Sequence, residues 1–317
     1  MLDTSLCTET EPQRERFRRD VLAGLSARPK QLPSRWFYDE RGSVLFEEIT
    51  QLGEYYLSRT EAQILRDNAA ALARFAGPDR PIVEYGAGSA IKSELLIAAA
   101  TPPQYVPVDI SGEFLAQTAG RLRQRFPAVQ IMPVVADFTA DFVLPASLPG
   151  SRTIFFPGST IGNLDRATTL ALLRRMHGHG GADGRAIIGA DLVKPREILI
   201  PAYDDARGVT AAFNCNLLVR INRELDADFV VERFRHEARW NAAEAAIEMH
   251  LVSTAAQQVR VAGQTFTFAA DETIHTETSR KYEVATFGAL AAEAEWSLSE
   301  VWTDASRKFA IFGLTSA

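Results

Sequence analysis

Pro81-Ile82-Val83-Glu84-Tyr85-Gly86-Ala87-Gly88-Ser89-Ala90-Ile91-Lys92 decides how the chain is read. A short apolar run ends in two glycines, and a helix-like stretch, Lys92 to Ala100, follows. Glycine lets a backbone approach a ligand closely, and the first turn of the next helix presents unpaired N–H groups. A P-loop needs glycine directly before Lys-Ser, but Ile91 precedes Lys92-Ser93. A dinucleotide fingerprint wants Gly or Ala where Ile91 stands. S-adenosylmethionine tolerates that residue, because no pyrophosphate has to rest on the helix. In that reading Glu84 turns its carboxylate toward the cofactor's positively charged methionine end. Alone, the turn is weak evidence.

The flanking segments strengthen it. Upstream, Thr60 to Phe75 reads as a helix, with Ser58 or Thr60 as cap, Glu61 or Gln63 three residues on, and a stripe of Ile64, Leu65, Ala69, Leu72 and Phe75. Downstream, apolar runs recur at Tyr105–Asp109, Ile131–Val135, Thr153–Phe156 and Ala186–Leu192, with helical stretches such as Ala167–His177 between them. Strands alternating with helices predict a parallel α/β sheet. Asp109 then ends the second strand, where a carboxylate accepts ribose hydroxyls, although NAD proteins share that feature. Asp137-Phe138 follow the third strand and suit an adenine amino group and ring. Ligands collect at the carboxyl ends of such strands, so Glu84, Asp109 and Asp137 form a series more specific than any one member.

After Pro195 the pattern changes. A helix is predicted from Val209 to Leu225; then Ile247, Met249 and Leu251, Val259 and Val261, Phe266 and Phe268, and residues Ile274 to Ser279 alternate with period two. Trp296–Thr303 and Lys308–Leu314 read as a closing hairpin that rejoins the first sheet. The expectation is one domain on 60–194 and 283–317, and a second on 1–59 and 195–282 that serves as a lid.

Composition narrows the class. The 317 residues carry 34 Lys+Arg against 40 Asp+Glu, a net charge of −6, which argues against a general nucleic-acid binder. Arg14-Glu15-Arg16-Phe17-Arg18-Arg19 has helical apolar spacing and reads as a solvated helix face. Cys7 and Cys215 are too few for a disulfide framework or a thiolate zinc site. No apolar run approaches a membrane span, and Met1 to Asp20 is too polar for a secretory signal, so a cytoplasmic protein is expected. His177 and His179 lie in a predicted glycine-rich loop without Glu-x-x-His or Cys support, and His236, His250 and His275 fall on predicted strands as solvated or supporting residues. No metal is expected.

The fourth strand leads into Phe155-Phe156-Pro157-Gly158-Ser159-Thr160-Ile161-Gly162-Asn163-Leu164. The Asp/Asn-Pro-Pro-Tyr/Phe of amino-methylating DNA enzymes is absent, and so is the glycine a nucleophile elbow carries two residues before its serine. From spacing, Asn163 is as readily a helix cap as a ligand.

Here the chain resembles the histidine-specific Nα-methyltransferases of ergothioneine biosynthesis. The resemblance runs from about Leu32 to Tyr282. It includes Pro33-Ser34-Arg35-Trp36-Phe37-Tyr38-Asp39, Glu54-Tyr55-Tyr56 with Arg59, the Glu84-to-Lys92 loop, and Phe156 to Asn163. Further matches are Gly189-Ala190-Asp191-Leu192-Val193-Lys194, Tyr203-Asp204-Asp205, Gly208 to Asn214, and Ile221-Asn222-Arg223-Glu224-Leu225. It implies a Rossmann-like class I methyltransferase sheet with an inserted α+β substrate-binding domain. It also implies S-adenosylmethionine as donor, S-adenosylhomocysteine as product, and three successive methylations of L-histidine's α-amino group, through mono- and dimethyl intermediates, to trimethylhistidine (hercynine).

Position by position, the resemblance implies that Tyr55, Asn163 and Tyr203 hold the amino and carboxylate groups. Glu277 and Ser279 hold the imidazole, with Met249 lining that pocket; Tyr38, Phe46 and Gly158 stand beside the reacting nitrogen. Gly86, Gly88, Lys92, Asp109, Asp137 and Phe138 hold the cofactor, with Glu84 at the same loop. Residues i and i+2 of a strand share a face about 6.6 Å apart, so Glu277 and Ser279 are expected to address the two imidazole nitrogens. A monomer without nucleic-acid or membrane partners is expected. The rivals are the same reaction on tryptophan or tyrosine, an NAD-linked oxidoreductase, and a catalytically silent nucleotide-binding module.

Overall fold

The computed structural model describes residues 13–317. They divide into two compact units: the described residues up to Tyr55 with Pro195–Thr278, and Tyr56–Lys194 with Ser279–Ala317.

The second unit is built on an eight-stranded sheet. Its order is Trp296–Thr303, Phe309–Ser316, Arg185–Asp191, Thr153–Phe156, Ile82–Tyr85, Gln104–Asp109 and Gln130–Ile131, with Val134–Val135 also pairing to Gln104–Asp109. The five inner pairings from Arg185–Asp191 to that edge are parallel, whereas Phe309–Ser316 runs antiparallel to both neighbours. Ile82–Tyr85 and Thr153–Phe156 are buried at every position, as a parallel sheet covered on both faces requires. Val83, Tyr85, Val106, Ile154, Phe156 and Ile188 meet Leu172, Leu173 and Met176 of helix Arg166–Gly180 in the core, and Phe287 of helix Val284–Ala292 stacks on Phe312 at 4.0 Å. The strand order reverses beside Ile82–Tyr85, whose neighbours are the next strand in the chain on one side and a later one on the other. Such a switch point opens a crevice at the strands' carboxyl ends.

Three local expectations are corrected. The helix over 60–75 is two helices, Leu57–Asp67 and Ala69–Ala76, parted at Asn68, whose side-chain amide donates to the Ile64 carbonyl at 2.9 Å. That local bond competes with the helix ladder; Ser58 and Thr60 lie inside the first helix rather than at its cap. The run over 131–135 splits at Met132-Pro133, because proline brings no N–H to a ladder. His177 and His179 lie in a helix that continues to Gly180, where Tyr85 and Trp296 pack on them: His179 Nδ1 is 2.6 Å from the Tyr85 hydroxyl, and the His177 and Trp296 rings lie 5.1 Å apart. Tertiary contacts there override the low helix propensity of Gly178.

The first unit has a four-stranded sheet in the order Lys30–Gln31, Thr273–Arg280, Ala246–Ser253 and Phe234–Asn241, the second of which runs on beyond the unit's last residue. A separate ribbon pairs Gln257–Val261 with Gln264–Phe268, placing Val259 opposite Phe266. Helix Gln13–Ser26 buries Phe17, Val21 and Leu25 and leaves Arg14, Arg18 and Arg19 exposed, the solvated basic face expected of that stretch. Among the described residues no helix is long and apolar enough to cross a membrane.

Candidate active site

At the switch point, the loop after Ile82–Tyr85 is held open by backbone geometry. Gly86 (φ 68°), Gly88 (φ 51°) and Ala90 (φ 53°) all adopt left-handed conformations, a region that glycine enters without steric penalty. The Gly86 and Ala87 amides donate to the Val108 carbonyl at 2.9 and 3.1 Å. A Cβ on Gly86 would lie 3.1 Å from the Phe138 ring, so the bare backbone leaves room beside that aromatic. Asp109 accepts from the Gly88 amide on one oxygen and from the Ser111 amide on the other, both at 2.9 Å, which fixes its carboxylate at the strand end. Asp137 accepts from the Thr139 amide at 3.0 Å, and Phe138 packs on Phe156 with ring centroids 5.5 Å apart. Two oriented carboxylates, an aromatic ring and a glycine cradle thus share the carboxyl edge of adjacent strands. These groups fit an adenosine, with hydroxyls for Asp109 and a base for Phe138. Ile91 is 61% exposed, outside the packed part of the loop.

Glu84 departs from its expected orientation. Its side chain is only 1% exposed and accepts hydrogen bonds from the Ser93 and Tyr105 hydroxyls, inside the sheet rather than toward the crevice. Desolvation raises its pKa to about 8, against the partial opposing effect of those hydroxyls and Lys92. A folded-state pKa above the unfolded 4.5 means that the native protein holds this proton more tightly. The resulting stability is full below pH 4.5 and is lost as pH rises toward 8. Glu84→Gln should therefore flatten the fall in urea midpoint between pH 5 and about 8.5; an unchanged slope would remove Glu84 as its source.

Lys92 and the loop after the fourth strand meet on one residue. Its ammonium pairs with Glu61 Oε2 at 2.5 Å, and the Gly158 amide donates to both Glu61 oxygens at 2.9 and 3.0 Å. Gly158 (φ 89°) and Ser159 (φ 57°) turn the chain into the short 3-10 helix Thr160–Asn163. Asn163 is half-buried and caps nothing; the following helix is capped by Asp165, which accepts from the Thr168 amide at 2.7 Å. The Ser159 hydroxyl accepts from the Asp191 amide at 2.9 Å. Asp191 itself is completely buried and receives Tyr56 at 2.7 Å, Lys194 at 2.7 Å and Lys281 at 3.0 Å. Burial lowers the Lys194 pKa to about 8 even with Asp191 opposing. Lys281 also donates to the Ser279 hydroxyl at 2.8 Å.

The first unit gathers Tyr38, Phe46, Tyr55 and Tyr203 with Phe213 on an aromatic wall. Asp39 caps helix Glu40–Thr50 through the Gly42 amide and also accepts from Asn216 and Arg223 of helix Val209–Leu225. This clamp seats Tyr38 and Phe46 against Phe213, with centroids 5.7 and 6.0 Å away, and Tyr38 against Phe46 at 5.5 Å. Tyr55 follows at 6.2 Å from Phe46, and Tyr203 at 6.2 Å from Tyr55. Asp205 fixes the Tyr203 loop by accepting from the Val209 and Thr210 amides, and His236 Nε2 bonds the Tyr203 carbonyl at 2.8 Å, so that histidine, its side chain 1% exposed, is one of the supporting residues. Tyr38 keeps 45% of its surface open, yet its hydroxyl is crowded, and that desolvation, with Glu277 and Tyr203 near, raises its pKa far above the ordinary phenol value. Met249 is buried in the sheet.

Glu277 and Ser279 lie two residues apart on strand Thr273–Arg280. Burial alternates to Thr276, then Glu277 and Thr278 are both half-buried before Ser279 buries again. His275 Nε2 lies 2.9 Å from the Glu277 carbonyl and 3.0 Å from the Thr278 hydroxyl. Two well-placed residues also escaped the sequence reading. Phe213 was legible as helix core but not as wall. Glu61 reads in the sequence as a possible capping partner; its signal is a lone charge among buried Leu57, Ile64 and Leu65 on one helix. Among the described residues no three or more His, Cys, Asp or Glu side chains group as a metal site would need.

A family model described as "Histidine-specific methyltransferase, SAM-dependent" matches residues 17–316. Histidine N-alpha-methyltransferase of Mycolicibacterium smegmatis is 41% identical over 305 residues, 94% of either chain. The protein of the same name from Mycobacterium tuberculosis is 41% identical over 301 residues, 93% of either chain. Ergothioneine biosynthesis protein 1 of Neurospora crassa is 30% identical over 210 residues, 64% of this chain and 24% of that one.

Proposed function

Because the chain belongs to the S-adenosylmethionine-dependent, histidine-specific methyltransferases, we propose that it methylates the α-amino group of L-histidine three times in succession. The product is Nα,Nα,Nα-trimethylhistidine, made for ergothioneine biosynthesis. The observation that carries this reading is the end-to-end likeness to two proteins named for that activity; the likeness to Ergothioneine biosynthesis protein 1 supports the pathway.

The bound cofactor supplies an electrophilic methyl on a sulfonium, which leaves as a neutral thioether when the amine's lone pair attacks in line. The protein's task is to hold, align and exclude water. In this proposal Gly86, Gly88, Lys92, Asp109, Asp137 and Phe138 hold the cofactor, and Glu84 supports their loop from inside the sheet. Tyr55, Asn163 and Tyr203 hold the substrate's amino and carboxylate groups, Glu277 and Ser279 hold the imidazole, and Met249 lines that pocket. Tyr38, Phe46 and Gly158 stand beside the nitrogen.

Each round needs the nitrogen to lose a proton first, and after the third methyl none remains to lose. With its pKa raised by desolvation, the Tyr38 phenol stays protonated at neutral pH. The ring faces of Tyr38, Phe46, Tyr55, Tyr203 and Phe213 supply what a methylated ammonium prefers, since a cation is attracted to an aromatic face.

Incubation with S-adenosylmethionine and, separately, histidine, tryptophan or tyrosine, read by mass spectrometry, tests the proposal. Histidine is expected to gain three methyl groups. Methylation of tryptophan or tyrosine with histidine untouched would overturn the substrate, and a thermal shift with NAD but not S-adenosylhomocysteine would overturn the cofactor.

A further inference from the structure

We propose that Glu61 is a positioning residue for cofactor binding: it holds the Lys92 ammonium and the Gly158 amide together across the switch point of the sheet. The inference rests on the reading of Lys92 as a cofactor residue. Glu61 is 1% exposed, and its carboxylate makes three contacts, one with Lys92 and two with the Gly158 amide. Helix Leu57–Asp67 presents it, and the strand Arg185–Asp191 is shaped to receive it. A Cβ on Gly189 would fall 2.0 Å from Glu61 Oε1, so glycine there leaves the carboxylate its place.

A buried carboxylate is costly unless it is paired and hydrogen-bonded. Neither partner is needed for the core, since Lys92 lies at the start of helix Ile91–Ala100 and Gly158 in a loop. Both sit at the carboxyl ends of the two strands that flank the crevice.

An ammonium carries three donors. With one directed to Glu61, the group is fixed in place while its other donors can address a ligand carboxylate. A lysine without such a tether samples many rotamers and loses that freedom when a ligand binds. Glu61 removes the loss in advance.

The same contact couples the two loops. A Cβ on Gly158 would lie 3.3 Å from the Lys92 ammonium, and at φ 89° a side chain there is strained in any case. Gly158 thus serves the lysine's position as well as giving room for methyl groups.

The test measures S-adenosylhomocysteine dissociation by calorimetry, with ligand-free thermal unfolding as the control for folding. Lys92→Met alone tests the underlying reading; unchanged affinity there would fail that reading. Given a loss in Lys92→Met, Glu61→Gln is expected to weaken binding about tenfold or more. The double variant should bind no worse than Lys92→Met, because Glu61 acts through the lysine. Glu61→Asp, which keeps the charge and shortens the reach, should fall between wild type and Glu61→Gln, and it carries the test if Glu61→Gln does not fold. Two results would overturn the inference: a folded Glu61→Gln or Glu61→Asp with wild-type affinity, or a Glu61→Gln loss that adds fully to that of Lys92→Met.

Discussion

Glu277→Ala should raise the dissociation constant for histidine about 10- to 100-fold, the range for losing a hydrogen bond to a charged group. S-adenosylhomocysteine affinity should stay near the wild-type value, because the residues proposed to hold the cofactor belong to other elements. The carboxylate is half-buried on strand Thr273–Arg280, and its charge is felt at the Tyr38 hydroxyl. An imidazole N–H gives this carboxylate a donor, whereas a phenyl ring offers none and an indole offers its N–H elsewhere. Glu277→Gln keeps an acceptor without the charge and should lie between the two. Calorimetry with histidine decides it, and equal histidine affinity in Glu277→Ala would end the imidazole assignment.

The other large effect is on stability. Asp191→Ala removes the shared counter-charge of Lys194 and Lys281, both of which are buried. Breaking a buried pair from one side costs about 3–5 kcal/mol, because the remaining charge stays buried. Here two ammonium groups remain, while Tyr56 loses its acceptor. Urea denaturation should show a loss of that order, with Asp191→Asn recovering part of it through the Tyr56 bond. A change below about 1 kcal/mol would mean that the lysines escape to water, as surface pairs do.

The sheet and its switch point were legible because a parallel strand writes itself as an unbroken apolar run and the crossover helices separate such runs. Thr153–Phe156 and Val209–Leu225 have the limits their patterns gave. What failed was local. Pro133 and Asn68 each interrupt an element through a backbone donor or a short side-chain bond that hydrophobic period does not register. Glu84 shows the same gap at the crevice: a carboxylate at a strand end looks like a ligand group until Ser93 and Tyr105 are seen to hold it inward. Asp109 and Phe138 lie at the crevice because their strands end there, a matter of topology. Glu61 could not be found that way, since its partners come from segments far from it in the chain.

Phe309–Ser316 lies inside its sheet, between Trp296–Thr303 and Arg185–Asp191, and not at an edge. It also follows every other strand of that sheet in chain order. While the ribosome is still making it, Arg185–Asp191 has an open hydrogen-bonding flank, and the Trp296–Thr303 strand has no neighbour to join. Residues up to Thr278, which complete the first unit, have by then already been made. The nascent chain therefore finishes its aromatic wall before its nucleotide crevice has a complete floor, and closure of the larger sheet waits for Phe309–Ser316 to emerge.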